Sequence, residues 1–301
     1  MKKLTFLIIL TVVTETVLAQ SFYNRRIDRR WVASAGTGTA KYFGELTNDG
    51  DVFQGTLYNI QGGLERKFNE RISAMATLTF FQFRASDAKA ADPGRIPRNL
   101  SFTSWNLELS VTGIIQLFPE VGRYYQRPVF NPYLFLGIGA TYFNPMAEIP
   151  ATDLNGNPFP DAGKKTSLRQ YQTELVAYSP VTLVFPMGVG IKMMVAPQFN
   201  ISVNGGYRYT LTDYLDDVST VHPGAAAFSD PLAAALSDRG PEIGYGPRPA
   251  GSIRGNPEKN DGYFIFSIRL DYYLPPTTLF GGGNKGRGRY YKPKRGKRRN
   301  P

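Results

Sequence analysis

The sequence has 301 residues, no cysteine, and a net charge of +11 from 35 lysine and arginine residues against 24 aspartate and glutamate residues. The lack of cysteine excludes disulfide bonds, so stability must come from a closed hydrogen-bonded sheet or an ordinary core. The positive charge is not spread along the chain. Nine basic residues lie between positions 285 and 299 and two more are Lys2 and Lys3, which leaves 24 basic residues against 23 acidic ones once Glu15 is set aside. The body of the chain is therefore close to neutral, which argues against a nucleic-acid-binding domain.

The first residues have the pattern of a secretory signal peptide. A basic start precedes an apolar stretch over residues 4–13, and small residues up to Ala19 suit a cleavage site. We predict that residues 1–19 are removed and that residues 20–30 form a periplasmic lead-in. An uncleaved membrane anchor is the alternative. It is disfavoured because the apolar stretch is shorter than the roughly 20 residues that a transmembrane helix needs.

Beyond residue 30, apolar and polar side chains alternate in eight segments, as they do in strands with one face against an apolar environment. The clearest segment is 105–117, where Leu107, Leu109 and Val111 are at odd positions and Glu108 is at an even position, on the opposite face of the strand. We call the two sets of alternate positions the two parities. The eight predicted strands are 31–42, 56–66, 72–83, 102–118, 133–143, 181–194, 199–210 and 263–274. Each is long enough to cross a bilayer as a tilted strand, which takes about 9–11 residues.

The connections between these strands favour a membrane barrel. Turns are predicted around Asn69, near residues 120–130 and around Pro197, and the connections at the other end, 43–53, 84–101, 144–180 and 211–262, are longer as a group. Short periplasmic turns and long outer loops are typical of outer-membrane barrels. We therefore predict an all-β fold, an eight-stranded antiparallel transmembrane β-barrel over residues 31–274, in outer-membrane lipid with both termini periplasmic. A periplasmic β-sandwich is the alternative, because its strands alternate too.

Charged residues of the polar parity are predicted to fill the barrel. An eight-stranded barrel encloses a space that side chains fill, so these charges should neutralise one another rather than line a wide pore. The residues are Glu65, Glu108, Lys192, Arg208, Arg269 and Asp271.

The sequence offers little to support catalysis. His222 is the one histidine, it lies in the last long loop, and no serine or cysteine nucleophile pattern surrounds it. We expect a solvated loop histidine, no catalytic residue, no cofactor and no enzymatic activity. In the same loop, Asp230 and Pro231 predict the start of a short capped helix that continues through residues 232–236.

An acidic group at the start of that loop admits two interpretations. Asp213, Asp216 and Asp217 have oxygen atoms that can bind calcium, but their spacing is not that of the twelve-residue EF-hand loop. Hydrogen bonds to the nearby backbone are the favoured interpretation, so we assign no metal ligands.

The C-terminal segment, residues 275–301, is predicted to be a flexible, basic periplasmic tail. After the spacer at 281–283 it contains no acidic residue and has two tyrosines between the charges. An anionic cell-wall polymer, lipid headgroups or an acidic protein surface are the expected partners, and nucleic acid is not, because the signal peptide directs the tail to the periplasm. A solvated tail that aids solubility is the alternative. The candidate partner-binding residues are Lys285, Arg287, Arg289, Lys292, Lys294, Arg295, Lys297, Arg298 and Arg299.

One segment resembles a known family. Residues 206–219 are similar to the signature segment of a Bacteroidota outer-membrane β-barrel family that includes PorG of the type IX secretion system, and residues 40–46 and 132–139 are weakly similar to it. The most specific part consists of Thr212, Asp213, Tyr214, Leu215, Asp216, Asp217, Val218 and Ser219. The resemblance implies a non-enzymatic outer-membrane component that associates with a periplasmic ring of the secretion and gliding machinery. It supplies no binding or catalytic residues.

We therefore predict a barrel that anchors or docks a periplasmic assembly, plausibly that of type IX secretion, through its turns and its tail. The rival functions are passage of small molecules, lipid modification, and surface adhesion through the long outer loops. Passage requires a hydrated lumen, and lipid modification requires a nucleophile and a base in a loop.

Overall fold

Eight long antiparallel strands and two short ones make up most of the structure, a computed structural model that describes residues 29–47, 56–90 and 92–275. The strands are β1 Trp31–Phe43, β2 Leu57–Lys67, β3 Ile72–Ser86, β4 Ser101–Gln116, β5 Phe130–Tyr142, β6 Pro145–Glu148, β7 Lys165–Ser167, β8 Val181–Ala196, β9 Phe199–Thr210 and β10 Gly262–Tyr273. All eight predicted strands are confirmed, with their ends within three residues of the predicted positions.

The long strands close into a barrel. Each pairs with its neighbours in the order β3-β2-β1-β10-β9-β8-β5-β4, and β3 pairs with β4 to complete the ring. The first and last long strands pair with each other, with Val32 of β1 opposite Tyr273 of β10. Where β3 pairs with β4, Ile72 lies opposite Ile115. Every long strand thus has two partners, which satisfies the backbone donors and acceptors without leaving an open edge.

The barrel exterior is apolar. Leu109 is 60% exposed, Leu134 is 60% exposed and Val189 is 59% exposed, while residues of the opposite parity are buried in the lumen. Phe80 and Trp105 stack on this surface with ring centroids 5.4 Å apart. Such a continuous apolar outer face is the surface that contacts hydrocarbon in a transmembrane barrel, which agrees with the predicted fold class.

The connections divide between the two ends of the barrel. The short-turn end contains connections 68–71, 117–129 and 197–198, together with both chain ends of the barrel. The long-loop end contains the connections that follow β1, β3, β5 and β9. No helix in the described ranges is long and apolar enough to cross a membrane.

The long loops have structure of their own. The connection after β5, which was predicted as an irregular loop, extends the wall, because β6 pairs with β4 and β7 pairs with β6. The predicted short helix is confirmed as α1, Pro231–Ser237, and the Asp230 side chain caps it by accepting a hydrogen bond from the Leu232 N–H at 2.9 Å. Beneath the loops, Phe81, Phe83 and Tyr263 belong to a buried apolar cluster inside the barrel mouth.

A charge on the outer face should destabilise the barrel. We expect Leu109→Arg to lower the free energy of unfolding in phospholipid vesicles by about 2–4 kcal/mol, because it places a charge near the bilayer midplane. Ile253→Arg is the control, since Ile253 lies in a long loop and is 78% exposed. Urea titration followed by tryptophan fluorescence measures both. Equal effects of the two substitutions would contradict a lipid-facing wall.

Candidate functional site

The segment that resembles the barrel family, residues 212–219, leaves the end of β9 and folds back over the barrel mouth. Six of its eight residues are buried. Its three aspartates separate: Asp217 contacts the loop that follows β5, whereas Asp213 and Asp216 face a different group of carboxylates. The segment therefore organises the long-loop end instead of presenting an exposed binding motif.

Asp217 joins two long loops. Its carboxylate accepts hydrogen bonds from the Tyr178 hydroxyl at 2.6 Å and from the Thr173 hydroxyl, and it lies 3.8 Å from the guanidinium of Arg254. The residue has a φ of 69°, a left-handed conformation that aspartate tolerates better than most residues. Burial raises the pKa of Asp217 to about 6, and Arg254 opposes that rise.

Arg254 and Glu174 form a second buried link between the same loops. The guanidinium lies 2.7 Å from the Glu174 carboxylate, and both side chains are buried. Glu174 also accepts the backbone N–H groups of Ser219 and Thr220, each at 2.9 Å. Burial acts to raise the pKa of Glu174, but Arg254 and these donors outweigh it, so the pKa lies below its usual value. The ionised carboxylate is thus fully used in holding the loop.

Arg98 connects three loops. It makes a bidentate ion pair with Asp87, at 2.6 and 2.8 Å, and donates to the backbone carbonyls of Arg254 and Glu45. Arg95 adds a further contact to Asp87 at 3.1 Å. Such charge-assisted pairs are geometrically specific. They fix the connection after β3 against the loops that follow β1 and β9.

Four acidic side chains, Glu45, Asp213, Asp216 and Asp261, form what we call the carboxylate cluster. One oxygen each from Glu45, Asp213 and Asp261 lie within 4.8 Å of one another. The Asp261 carboxylate accepts the Tyr42 hydroxyl at 2.6 Å. Oxygen ligands at this spacing suit a hard cation, so these are the described residues that can hold a metal ion.

Burial dominates the electrostatics of this cluster. It raises the pKa of Asp213 to about 7, and Glu45 contributes to the rise. Burial and mutual repulsion also raise the pKa values of Asp216 and Asp261 well above the ordinary range. The pKa of Glu45 is raised by burial as well. The cluster therefore takes up protons or a cation more readily than exposed carboxylates do.

His222 differs from its predicted environment. The prediction of a solvated loop histidine is wrong, because the side chain is 1% exposed beneath the last loop. Its backbone N–H donates to the Ser252 carbonyl at 2.9 Å, but neither ring nitrogen has a hydrogen-bond partner among the described residues. Burial lowers the pKa of His222 to about 4, and nearby Arg254 lowers it further. The ring is thus a neutral packing element with no paired nucleophile in the described part of the chain.

The predicted charges lie in the lumen and form three ion pairs, two between different strands and one between residues of β10. Lys192 contacts Glu65 at 2.7 Å, Arg208 lies 3.5 Å from Glu108, and Arg269 lies 3.9 Å from Asp271. The Ser73 hydroxyl donates to Glu65 at 2.6 Å, and the Tyr263 hydroxyl donates to Glu108 at 2.7 Å. The prediction that these charges neutralise one another is confirmed by their geometry.

A cavity of about 20 Å³ lies between these side chains, lined in part by Gln61, Thr77, Asn204, Arg208 and Arg269. This volume holds about one water molecule. A buried aromatic cluster that includes Phe81, Phe83 and Tyr263 lies inside the barrel mouth. Charged and aromatic side chains thus occupy the interior of the described barrel.

The short-turn end is sealed by a further polar group. Lys67 contacts Glu120, and the Tyr273 hydroxyl lies within hydrogen-bonding distance of both. Arg127 contacts the Asn200 side chain at 2.7 Å and the carbonyl of Pro197 at 2.7 Å, which holds the long turn before β5 against the turn before β9.

Both predicted terminal segments lie largely outside the described ranges. At the N-terminus these are the signal peptide at 1–19 and most of the lead-in at 20–30. At the C-terminus they include all nine basic residues of the predicted tail.

Sequence reasoning missed several residues of the long-loop end. It did not single out Asp87, Arg98, Glu174 or Arg254, and it did not join Glu45 and Asp261 to the acidic segment after β9. These residues lie in irregular connections without periodicity, so no local signal marked them. A charged residue that is buried by distant loops looks like an exposed one in the sequence.

No family model and no curated protein sequence matches the chain. Among solved structures, it is similar to Neisserial surface protein A, with a TM-score of 0.41 at 9% identity over 81% of this chain and 97% of that one. It is also similar to the outer membrane protein OprG from Pseudomonas aeruginosa, with a TM-score of 0.37 at 9% identity over 82% of this chain and 98% of that one. A third similar structure is the E. coli Outer Membrane Protein W, with a TM-score of 0.33 at 13% identity over 83% of this chain and 100% of that one. The assignment of an eight-stranded barrel rests on the strand pairing of this chain.

Removing one partner of a lumen ion pair should be costly. We expect Lys192→Met to lower the free energy of unfolding by about 3–5 kcal/mol, because it leaves Glu65 charged and unpaired in the barrel. The double variant Lys192→Met/Glu65→Gln should recover most of that loss. Lys164→Met is the control: its pair with Asp161 is exposed, so no change is expected. Urea unfolding measures all three. A double variant no more stable than the single one would exclude the proposed cause.

The buried histidine should make the last loop sensitive to acid. The folded pKa of about 4 lies below the ordinary value of 6.5, so the opened loop gains a proton between these pH values and the closed loop does not. The raised pKa values of Asp213 and Asp217 act in the opposite direction, so the effect of His222 is isolated by comparison with His222→Gln. We expect hydrogen-exchange protection of the amides of residues 222 and 251, after correction for the intrinsic rate, to fall in the wild type relative to the variant by on the order of tenfold from pH 7 to pH 5. The same pH dependence in both proteins would assign the change to other groups.

Proposed function

We propose that this chain is a non-enzymatic outer-membrane barrel that anchors a periplasmic assembly through its short-turn end and its C-terminal tail. The observation that carries the proposal is that both ends of the barrel chain emerge on the short-turn side. Val32 lies opposite Tyr273, and the Leu274 N–H donates to the Trp31 carbonyl at 2.9 Å. Because short turns of outer-membrane barrels are periplasmic, the tail is assigned to the periplasm.

The charge of this end supports an acidic partner. Arg30, Arg66, Arg71 and Arg123 are exposed there, and the acids Glu70 and Glu120 are half-buried. The tail adds nine more basic residues. Clustered positive charge attracts anionic surfaces over about a Debye length. An acidic protein surface or an anionic cell-wall polymer therefore fits this end.

The filled lumen favours docking over passage. A conduction path requires a continuous hydrated route, whereas paired charges and an aromatic cluster occupy the interior of the described barrel. The same packing supplies a rigid anchor, because each strand is fixed to two neighbours.

The resemblance of residues 212–219 to the family that includes PorG supports a role in type IX secretion. Most of these residues are buried at the long-loop end, so they bear on the fold shared with that family and not on the docking surface. We assign docking to the opposite end, where the charge and the termini lie.

Truncation tests the docking role. Deleting the residues after Gly283 should reduce recovery of the periplasmic partner in a crosslinked pull-down by on the order of tenfold or more, because it removes the nine tail charges. The barrel should remain folded and heat-modifiable on a gel, since the deleted segment follows β10.

A full-length variant with the nine tail residues changed to glutamine separates charge from length. It should behave like the truncation. A matched outer-loop variant, Lys164→Gln with Lys165→Gln, should recover the partner fully. Unchanged recovery by the truncated protein, or conductance in planar bilayers with undiminished recovery, would refute the proposal.

A further inference from the structure

The carboxylate cluster joins three separate points of the chain. Glu45 lies in the loop after β1, Asp213 follows the end of β9, and Asp261 immediately precedes β10. The cluster thus lies where the first loop and both ends of the last loop meet above the barrel. One oxygen from each of these three residues lies within 4.8 Å of the other two.

Several oxygens of the cluster have no protein partner. Asp213 is 7% exposed, yet neither of its carboxylate oxygens has a donor within hydrogen-bonding distance in the described part of the chain. The nearby Ser219 side chain acts to lower the pKa of Asp213, but burial outweighs it. Oε2 of Glu45 and Oδ2 of Asp216 are likewise buried and unpartnered. Unpaired buried acceptors are costly, and native proteins satisfy nearly all of them. Asp213 therefore places an unused acceptor close to Glu45 and Asp261.

The nearby positive charge, on Arg98, is paired with a carboxylate outside the cluster. Arg98 is the neighbouring cation, but its guanidinium is paired with Asp87 and reaches only the backbone carbonyl of Glu45. Within the described ranges, no lysine or arginine makes an ion pair with any of the four carboxylates. Arg98 opposes the rise in the pKa values of Glu45 and Asp216, but burial and the mutual repulsion of the acids outweigh it, so the cluster favours a bound positive charge.

The chemistry of the ligands selects the ion. All candidate ligands are carboxylate oxygens, which suit calcium or magnesium and not the nitrogen and sulfur preference of zinc. Calcium–oxygen distances of about 2.4 Å place opposite ligands at most about 4.8 Å apart, and the three oxygens lie within that distance of one another. Magnesium requires distances near 2.1 Å and a regular octahedron. Ligands from two irregular connections, without the symmetry of an octahedron, fit calcium better.

We propose that Glu45, Asp213 and Asp261 bind a calcium ion, with Asp216 adding negative charge beside them. The ion ties the first loop to both ends of the last loop and holds the long-loop end in one conformation. This inference does not depend on the proposed docking function, which concerns the opposite end. An affinity in the range of extracellular calcium modules, about 10⁻⁴–10⁻³ M, is expected for such a site.

Calcium binding is tested on the full mature chain, refolded in detergent without lipopolysaccharide and treated with a chelator. Isothermal titration with calcium should show one saturable site, and magnesium should bind at least tenfold more weakly. Terbium provides a second probe, because Tyr42 contacts Asp261 and Tyr214 is next to Asp213, so excitation of tyrosine should sensitise terbium emission that calcium then quenches.

Asp213→Asn should weaken calcium binding at least tenfold, whereas Asp153→Asn, which removes the same charge from an exposed loop, should leave it unchanged. If Asp213→Asn is not heat-modifiable and so has not folded, Glu45→Gln tests the same site from another loop, with the same expected loss. The absence of saturable binding by the folded wild-type chain would overturn the proposal. Equal affinity of folded Asp213→Asn and wild type would overturn it too.

Discussion

The constraint on which the structure depends is that a strand in hydrocarbon must satisfy its whole backbone within the protein. Open strand edges are not tolerated there, so the sheet has to close on itself. In this chain, closure is achieved by the pairing of β3 with β4 and of β1 with β10. Once the ring has eight members, its diameter is fixed, and the inward side chains are brought close enough to touch. The packed lumen follows from the closure.

This geometry explains why charges are found in a barrel that has no wide pore. Alternation forces every second side chain inward, whatever its polarity. Glu65 and Lys192 lie on strands that are not neighbours, and their pairing across the lumen compensates for the loss of water around each charge. The mouth of the barrel is filled by apolar side chains instead of ion pairs. There Phe81, Phe83 and Tyr263 form an apolar layer that separates the lumen charges from the loop carboxylates.

The strands were predictable from the sequence because their signal is local. The alternation of Leu107, Glu108 and Leu109 can be recognised within a few residues. Once the barrel closes, the side chains of one set of alternate positions face outward and those of the other set face the lumen. The pairing of Lys192 with Glu65 could be expected as a type of contact, although not as a specific pair. The long-loop end was not predictable in this way. Its contacts join residues far apart in the sequence, and the burial of His222 depends on how the last loop folds over the mouth.

The distribution of charge follows from the same separation of the two ends. The body of the chain is nearly neutral in sum, and both ends of the barrel contain acids and bases. At the long-loop end, Arg98 and Arg254 pair with Asp87 and Glu174, which leaves the carboxylate cluster without an ion-pair partner among the described residues. At the short-turn end, several arginines are exposed. Ion-paired charges lie in the lumen between the two ends. The proposed cation site and the proposed docking surface therefore use different groups at opposite ends of the barrel, so binding at one would not compete for the residues of the other.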